Sequence, residues 1–291
     1  MRETPTIHNA AYRAWFKLET QQITGAYKVR GALNALLKQV ESGDVRAVVA
    51  ASAGNHGAAV SWAAQRLGLE ALIVVPTNAP TTKIARIEEL GGIVFRKGDH
   101  FEESLHWALQ MAQCRNARFL HAFDDLDVMA GQGTVALELL PHRPDVVVLP
   151  IGGGGLASGC STVLKAAGIR VVGAQVESVD AMRSALQGGP IRIDPAHTVA
   201  DGLRVAQAGI LSRQICARTL DDVVLVTESE VRRTMASLAL HEELTVEGAG
   251  AVSVAALGQV KGERRVALLS GSNVDEQVLS DAIRVYGKEC A

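Results

Sequence analysis

The feature that most constrains the fold is a regular alternation, from residue 31 onward, of short β-branched runs with amphipathic segments. This alternation is typical of βαβ units and a mainly parallel sheet. Glycines often follow the predicted helices, as at Gly91 and Gly92, where a left-handed turn can close a helix. The sequence therefore predicts the α/β class, and 48% hydrophobic residues in a chain of 291 suffice for one or two cores.

Individual elements can be placed from the same pattern. Apolar runs predict strands at residues 46–50, 71–75, 93–95, 145–149, 170–176, 223–226 and 265–269. Helical spacing predicts helices at 31–40, 55–67, 81–90, 101–115, 128–140 and 156–167, two more within 228–259, and one at the C terminus. We expect residues 46–125 to form a smaller α/β domain, and residues 1–45 with 126–291 to form a larger one.

Charge and cysteine content narrow the class of partner. The net charge of −2 gives no basic patch for nucleic acid or an anionic membrane, so a small molecule is the expected partner. The sequence shows neither a signal peptide nor a run of about 18 apolar residues, which predicts a cytoplasmic protein without a membrane segment. Four scattered cysteines, without a Cys-x-x-Cys pair, predict no metal and no disulfide framework: Cys114, Cys160, Cys216 and Cys290.

Four consecutive glycines form the strongest strand-loop-helix junction: Gly152, Gly153, Gly154 and Gly155, called here the glycine loop. Such a loop lets backbone N–H groups approach an anion at a helix N terminus, which predicts a phosphate site. The alternative is a tight turn that only needs positive φ. The loop lacks the Gly-Lys-Ser/Thr ending of a nucleotide P-loop, so a nucleotide-binding enzyme is a weaker hypothesis.

Lys28 is the candidate nucleophile or base. It lies directly before a predicted helix, between Tyr27 and Val29. A buried lysine has a lowered pKa, which makes its neutral amine available for chemistry. Taken alone, Lys28 is better explained as an ordinary surface lysine at a helix start.

The order of several separated motifs decides between these interpretations. The motifs, in chain order, are Lys17-Leu18-Glu19, Thr24-Gly25-Ala26-Tyr27-Lys28-Val29-Arg30-Gly31-Ala32, Ser52-Ala53-Gly54-Asn55-His56, the glycine loop and Ser270-Gly271-Ser272-Asn273. In this order the chain resembles, from about Trp15 to Asp275, the fold-type II pyridoxal-phosphate (PLP) enzymes of the threonine/serine dehydratase and serine racemase branch. The resemblance implies a tryptophan synthase β-like fold of two domains, each with a largely parallel sheet flanked by helices. It also implies a homodimer whose larger domain binds PLP.

The resemblance implies a role for each motif residue. Lys28 matches the lysine that forms a Schiff base with the cofactor aldehyde, and Asn55 matches the residue bonding its 3-hydroxyl. The glycine loop with Leu156 matches the phosphate site, and Ser270 matches the group facing the pyridine nitrogen. These roles agree with the chemistry, because an amide can bond a phenolate oxygen and a hydroxyl can meet a neutral ring nitrogen.

The same resemblance places the substrate. The stretch Ser52, Ala53, Gly54, Asn55 and His56 matches the loop that holds the substrate carboxylate with N–H groups at a helix start. An N-cap role for Ser52 is compatible with this interpretation. Gln132 lies in a stretch that matches the border of the substrate site, and Glu247 is expected near the cofactor edge.

Two departures from the family pattern refine the expected activity. Serine racemases carry a serine where this chain has Ala53, and a methyl group cannot transfer a proton, so elimination is favoured over racemisation. Relatives that bind a divalent cation pair the residue matched by Glu177 with an aspartate, where this chain has Arg183. Because arginine cannot ligate a metal, we expect no metal there.

The resulting prediction is a PLP-dependent ammonia-lyase (dehydratase) that eliminates water from a hydroxy amino acid such as L-threonine or L-serine, giving a 2-oxo acid and ammonia. Three alternatives stay open: a dehydratase of hydroxyectoine breakdown, a serine or amino-acid racemase, and a non-catalytic PLP-binding protein. The first of these draws on Phe123-Asp124-Asp125, Ala181-Met182 and the stretch 246–252.

Overall fold

The computed structural model describes residues 1–43 and 46–287. The chain divides into two compact units. Unit 1 contains Lys28–Gln132 with Met1, and unit 2 contains Arg2–Tyr27 with Gly133–Ala291. Each unit carries one sheet flanked by helices, which confirms the predicted α/β class.

The helices and strands are numbered here in chain order. They are β1 Thr6–Asn9, β2 Ala14–Leu18, α1 Lys28–Glu41, β3 Ala47–Ala51, α2 Asn55–Arg66, β4 Glu70–Val75, α3 Thr81–Glu89, β5 Gly92–Arg96, α4 Phe101–Cys114, β6 Arg118–Phe119, α5 Leu126–Leu139, β7 Val146–Pro150, α6 Gly155–Ala166, β8 Arg170–Val176, α7 Ala181–Leu186, α8 Ile210–Thr219, β9 Asp222–Val226, α9 Glu228–His241, α10 Gly248–Ala255, β10 Arg265–Leu269 and α11 Glu276–Tyr286.

Unit 1 is built on a four-stranded parallel sheet in the order β5-β4-β3-β6. Val48, Val49 and Ala50 of β3 are fully buried, as expected for a parallel strand covered on both faces. Helix α1 packs against α2 and belongs to this unit by its contacts. The sequence, in contrast, places residues 28–45 in the larger domain, and this domain boundary stays a prediction.

Unit 2 is built on a six-stranded sheet in the order β1-β2-β10-β7-β8-β9. All neighbours are parallel except β1, an antiparallel edge strand. Because β7 and β10 are parallel neighbours, their carboxyl ends meet at one edge of the sheet. The glycine loop follows β7 and Ser270 follows β10, so this edge is where an α/β sheet normally binds ligands.

A partly buried ion pair anchors the start of the chain in unit 2. Lys17 is 1% exposed, and its Nζ lies 2.6 Å from Glu138 Oε2 and 2.6 Å from the Thr4 carbonyl oxygen. The Thr4 hydroxyl donates to the buried carboxylate of Glu19. The segment before β1 is therefore held by charge-assisted hydrogen bonds.

Three further findings concern features expected from composition. Of the helices in the described part of the chain, none has the length and apolar character needed to cross a membrane. Within residues 1–43 and 46–287, no group of three or more metal-ligating side chains is present. Cys114, Cys160 and Cys216 are free thiols, and Cys290 lies outside the described residues.

Candidate active site

Lys28 is the first residue of α1, and its side chain is half-buried. Its Nζ donates a hydrogen bond of 2.9 Å to the carbonyl oxygen of Ala122, which lies between β6 and α5. The amine is thus fixed at a defined position in unit 1 by a neutral acceptor.

A side chain from α5 supports the helix that carries this lysine. Gln132 is 1% exposed, and its Oε1 accepts a 3.2 Å hydrogen bond from the Gly31 N–H in the first turn of α1. The buried amide thus bonds α5 directly to the backbone of α1. A Cβ on Gly31 would collide with this amide and lie 2.7 Å from the Val128 carbonyl, which explains the glycine.

His56 adjoins the lysine without carrying charge. It is 4% exposed, and its Nε2 lies 3.0 Å from the Leu120 carbonyl oxygen. Burial first, and then the charge of Lys28, lower the pKa of His56 from 6.5 to about 3. The ring is therefore neutral at physiological pH and donates from Nε2.

His121, which precedes Ala122, is also held neutral. Its Nδ1 accepts hydrogen bonds from the backbone N–H groups of Phe123 (3.3 Å) and Asp124 (2.9 Å), which requires an unprotonated Nδ1. Burial lowers the pKa of His121, an effect that Lys28 reinforces and the carboxylates of Asp124 and Asp125 oppose. Two neutral imidazoles therefore border the lysine in unit 1.

The predicted substrate loop lies between β3 and α2. Helix α2 begins at Asn55, and its N-cap residue is Gly54, without a capping side chain. Ser52 does not cap the helix: its hydroxyl accepts the Gly54 N–H at 3.1 Å and closes a short turn before it. No side chain caps α2, and the N terminus of a helix favours an anion.

In unit 2 the glycine loop leads into α6, which begins at Gly155. Gly154 is the N-cap residue in a left-handed conformation (φ 99°, ψ −4°), again without a capping side chain. The whole loop and Leu156 are buried. Buried amides at a helix start that lack a capping group fit an anion such as a phosphate.

Ser270 follows β10 and is 2% exposed. Its carbonyl oxygen accepts the Tyr27 N–H at 3.1 Å, and the next residue, Gly271, forms an isolated bridge with Ala26. In the part of the chain that the structure describes, no group bonds the Ser270 hydroxyl.

Burial, together with Glu247 and Cys160, raises the pKa of the Tyr27 phenol above its usual range.

Glu247 lies against this segment. It is 5% exposed, and its N–H donates to the Gly271 carbonyl at 3.0 Å. A Cβ on Gly271 would collide with the Glu247 carboxylate and lie 3.1 Å from the Ala26 Cβ. The segment after β10 is therefore clamped between α10 and the residues before Lys28.

The family model described as "Pyridoxal-phosphate dependent enzyme" matches residues 2–271. The chain belongs to this PLP-dependent family. It is 39% identical to an L-threonine ammonia-lyase of Thermotoga maritima, over 92% of this chain and 69% of that protein. It is 36% identical to the catabolic L-threonine dehydratase of Escherichia coli K12, over 90% of this chain and 83% of that protein.

Solved structures of threonine deaminase and serine racemase superimpose on this chain. The processed threonine deaminase isoform 2 of Solanum lycopersicum superimposes with a TM-score of 0.92 at 30% identity, covering 98% of this chain and 88% of that one. Maize serine racemase superimposes with a TM-score of 0.90 at 30% identity, covering 99% and 93%. The resemblance inferred from the motif order is thereby confirmed, and with it the PLP cofactor.

The residues present fit PLP. The buried amides of the glycine loop suit its phosphate, and the unbonded Ser270 hydroxyl suits its ring nitrogen. Of the residues expected in the site, unit 1 carries Lys28, Ser52, Ala53, Gly54, Asn55, His56 and Gln132; unit 2 carries the glycine loop, Leu156 and Ser270.

The sequence did not indicate the residues that support Lys28 and the glycine loop through hydrogen bonds. The backbone carbonyl of Ala122 accepts a hydrogen bond from Lys28, and the His121 ring closes the turn that contains Ala122. No pattern of residue types in the sequence indicates either contact. Ser212, which contacts the glycine loop, lies in α8, a helix that the periodicity did not predict.

Proposed function

We propose that this member of the PLP-dependent family is an ammonia-lyase that eliminates water from a β-hydroxy amino acid, with L-threonine or L-serine as substrate. The observation that carries the proposal is the 39% identity to an L-threonine ammonia-lyase over 92% of this chain. The products are a 2-oxo acid and ammonia.

Lys28 is the proposed catalytic residue. Its Nζ would hold the cofactor covalently and, as a free amine, would take up the proton from Cα of the substrate. The Ala122 carbonyl, 2.9 Å from Nζ, gives the released amine a fixed resting position. Because His56 and His121 are neutral, they add no positive charge that competes with proton uptake by this amine.

The N terminus of α2 is proposed to hold the substrate carboxylate. Residues Ser52, Ala53, Gly54 and His56 surround amides that have no capping side chain, and the helix dipole favours an anion there. Asn55, the first residue of α2, is proposed to bond the cofactor 3-hydroxyl with its side-chain amide. Gln132 would act on this site through α1, because its Oε1 is bonded to Gly31.

The remaining cofactor contacts come from unit 2. The glycine loop with Leu156 would hold the phosphate, and the Ser270 hydroxyl would face the ring nitrogen. When bound, PLP supplies an electron sink for the charge that develops at Cα. A serine is too weak an acid to protonate the ring nitrogen, so the sink is moderate, which suits a carbanion that is relieved by losing a leaving group.

Elimination is preferred to racemisation because of Ala53. Racemisation needs a proton donor on the face opposite Lys28, and the methyl group of Ala53 cannot supply one. Elimination needs removal of the α-proton on the lysine side only.

One assay separates this function from its alternatives. The purified protein loaded with PLP is given L-threonine, L-serine, 3-hydroxyaspartate and hydroxyectoine-derived acids in turn, with detection of 2-oxo acid and of D-serine. Fastest 2-oxo acid formation from threonine or serine supports the proposal. Three results would overturn it. Preference for a hydroxyectoine-derived acid would favour a dehydratase of hydroxyectoine breakdown, and D-serine as the main product would favour a racemase. Cofactor absorbance that no amino acid perturbs would favour a non-catalytic PLP-binding protein.

We also propose that the protein is a homodimer, as the family resemblance implies, and that it lies in the cytoplasm. Size-exclusion chromatography with light scattering tests the dimer, for which a mass of about twice the 30.7 kDa chain is expected.

A further inference from the structure

Helix α8 and its N-cap residue donate hydrogen bonds to the glycine loop. The Gly153 carbonyl oxygen accepts two hydrogen bonds, one of 2.6 Å from the Ser212 hydroxyl and one of 3.1 Å from the Gly209 N–H. Ser212 is fully buried, and Gly209 is the N-cap residue of α8. A buried side chain and a backbone amide thus converge on one carbonyl of the loop.

The direction of this carbonyl decides the direction of the next amide. In a trans peptide the C=O of Gly153 and the N–H of Gly154 point in opposite directions. Holding the carbonyl against α8 therefore turns the Gly154 N–H away from α8. No acceptor among the described residues takes this N–H, so it is available for an anion.

The next peptide is fixed as well. The Gly154 carbonyl accepts from the backbone N–H and the hydroxyl of Ser158, at 2.8 Å and 2.7 Å. Ser212 and Met182 lie close against the loop: a Cβ on Gly154 would be 2.8 Å from Ser212 Oγ and 2.5 Å from Met182 Cε. Gly154 is thus a glycine partly because of the packing behind the loop, in addition to its positive φ.

We propose that Ser212, together with the Gly209 N–H, is a positioning residue for the cofactor phosphate: it holds the Gly153 carbonyl back so that the Gly154 amide faces the phosphate. The inference rests on the proposed role of the glycine loop and is independent of which amino acid is the substrate. A preorganised amide binds an anion without the cost of turning the peptide on binding.

Paired affinities for PLP and pyridoxal isolate the phosphate contribution, because both aldehydes react with the same lysine. In the intact protein freed of cofactor, PLP is expected to bind more tightly than pyridoxal. Ser212→Ala is expected to weaken PLP binding about tenfold, the effect of losing one orienting hydrogen bond near a charged ligand. Pyridoxal binding is expected to change less than about twofold, since pyridoxal makes no phosphate contact.

A matched control is available between the same two helices. Ser161 on α6 is also fully buried, and its hydroxyl lies 2.6 Å from Thr219 Oγ1 on α8, with no bond to the glycine loop. Ser161→Ala removes a partly buried α6–α8 hydrogen bond and is expected to leave the ratio of the two affinities unchanged. A merely structural role of Ser212 would make the two variants behave alike.

Gly209→Pro provides a second, independent variant. Gly209 has φ −62° and ψ 151°, which proline can adopt, so the substitution removes the N–H donor and keeps this backbone conformation. It is expected to lower the PLP-to-pyridoxal ratio in the same direction as Ser212→Ala. Phosphorus NMR of bound PLP supplies a readout without activity, and its resonance is expected to shift in both variants and to stay unchanged in Ser161→Ala.

The outcomes separate this inference from the role of the glycine loop. Equal affinities of the wild-type protein for PLP and pyridoxal would overturn both. A high wild-type ratio that Ser212→Ala and Gly209→Pro leave within twofold, with an unshifted phosphorus resonance, would overturn only the positioning role of Ser212.

Discussion

Lys28 Nζ lies 2.9 Å from the carbonyl oxygen of Ala122 and donates a hydrogen bond to it. A carbonyl oxygen can accept both from an ammonium group and from a neutral amine, so this contact is compatible with the lysine before and after proton uptake. The neutral His56 and His121 flank the same position. The surroundings of the lysine in unit 1 therefore suit a base that changes its charge during a reaction.

Acid should destabilise the fold through His56. Its pKa is about 3 in the folded chain against 6.5 when unfolded, so between these values only the unfolded chain takes up the proton. Stability is fully present above pH 6.5 and falls as pH decreases toward 3, by about 1.4 kcal/mol per pH unit. His56→Gln retains a donor for the Leu120 carbonyl without titrating. Urea unfolding at pH 7 and pH 5 should show a smaller loss in this variant; equal losses in both proteins would contradict the assignment.

Removal of the Gln132 amide should destabilise the start of α1. In Gln132→Leu this buried hydrogen bond to the Gly31 N–H is lost, at a cost of about 1–3 kcal/mol in the free energy of unfolding. Denaturant unfolding of the wild-type protein and of Gln132→Leu at neutral pH measures the loss; a Leu variant as stable as the wild-type protein would show that this hydrogen bond does not support the helix.

A hydroxyl at position 53 should open the route to racemisation. Ala53→Ser supplies a group that can exchange a proton on the face opposite Lys28, so D-serine formation from L-serine is expected to rise relative to 2-oxo acid. Ala53→Gly changes the side chain without adding a hydroxyl and should not have this effect. Chiral chromatography of the reaction mixture gives both products; an unchanged product ratio in Ala53→Ser would rule out Ala53 as the reason for one-sided chemistry.

Gly271 should not tolerate a side chain. In Gly271→Ala the added methyl collides with the Glu247 carboxylate and lies 3.1 Å from the Ala26 Cβ, so a loss of about 1–3 kcal/mol is expected from overpacking. Gly258→Ala is the control, because no described atom lies within 4 Å of its added methyl. Thermal unfolding of the two variants tests whether Glu247 and Ala26 lie this close to Gly271. Equal melting temperatures would contradict it.

The sequence predicted buried strands and strand-linked loops best. The strands expected at 170–176 and 265–269 are observed at Arg170–Val176 and Arg265–Leu269, because a parallel strand covered on both faces is a continuous apolar run. Among the elements that were not predicted are β1, β2 and α7, together with β6, which has only two residues, and α8, whose apolar and polar residues are mixed. Short or weakly patterned elements are defined by their tertiary neighbours, which the local sequence does not reveal.

Helix α1 shows the same limit at a functional position. It was expected to begin at Gly31 and begins at Lys28, so the candidate lysine lies within the first turn. The acceptor for Gly31 is Gln132, which is 101 positions away in the chain and was expected at the substrate border. Ser52 likewise closes a turn onto Gly54, which takes the N-cap position. Motif order located the candidate site, and contacts distant in sequence determine how its backbone is held.

The most direct test of the account compares 2-oxo acid formation from L-threonine and L-serine by the PLP-loaded wild-type protein, Lys28→Ala and Lys38→Ala. Lys38 lies on the same helix and pairs with Asp127 at 2.6 Å, so its variant controls for the loss of a lysine from α1. We expect the wild-type protein and Lys38→Ala to form 2-oxo acid, and Lys28→Ala to lose both this activity and covalently bound cofactor. Full activity in Lys28→Ala would contradict the central role of this amine.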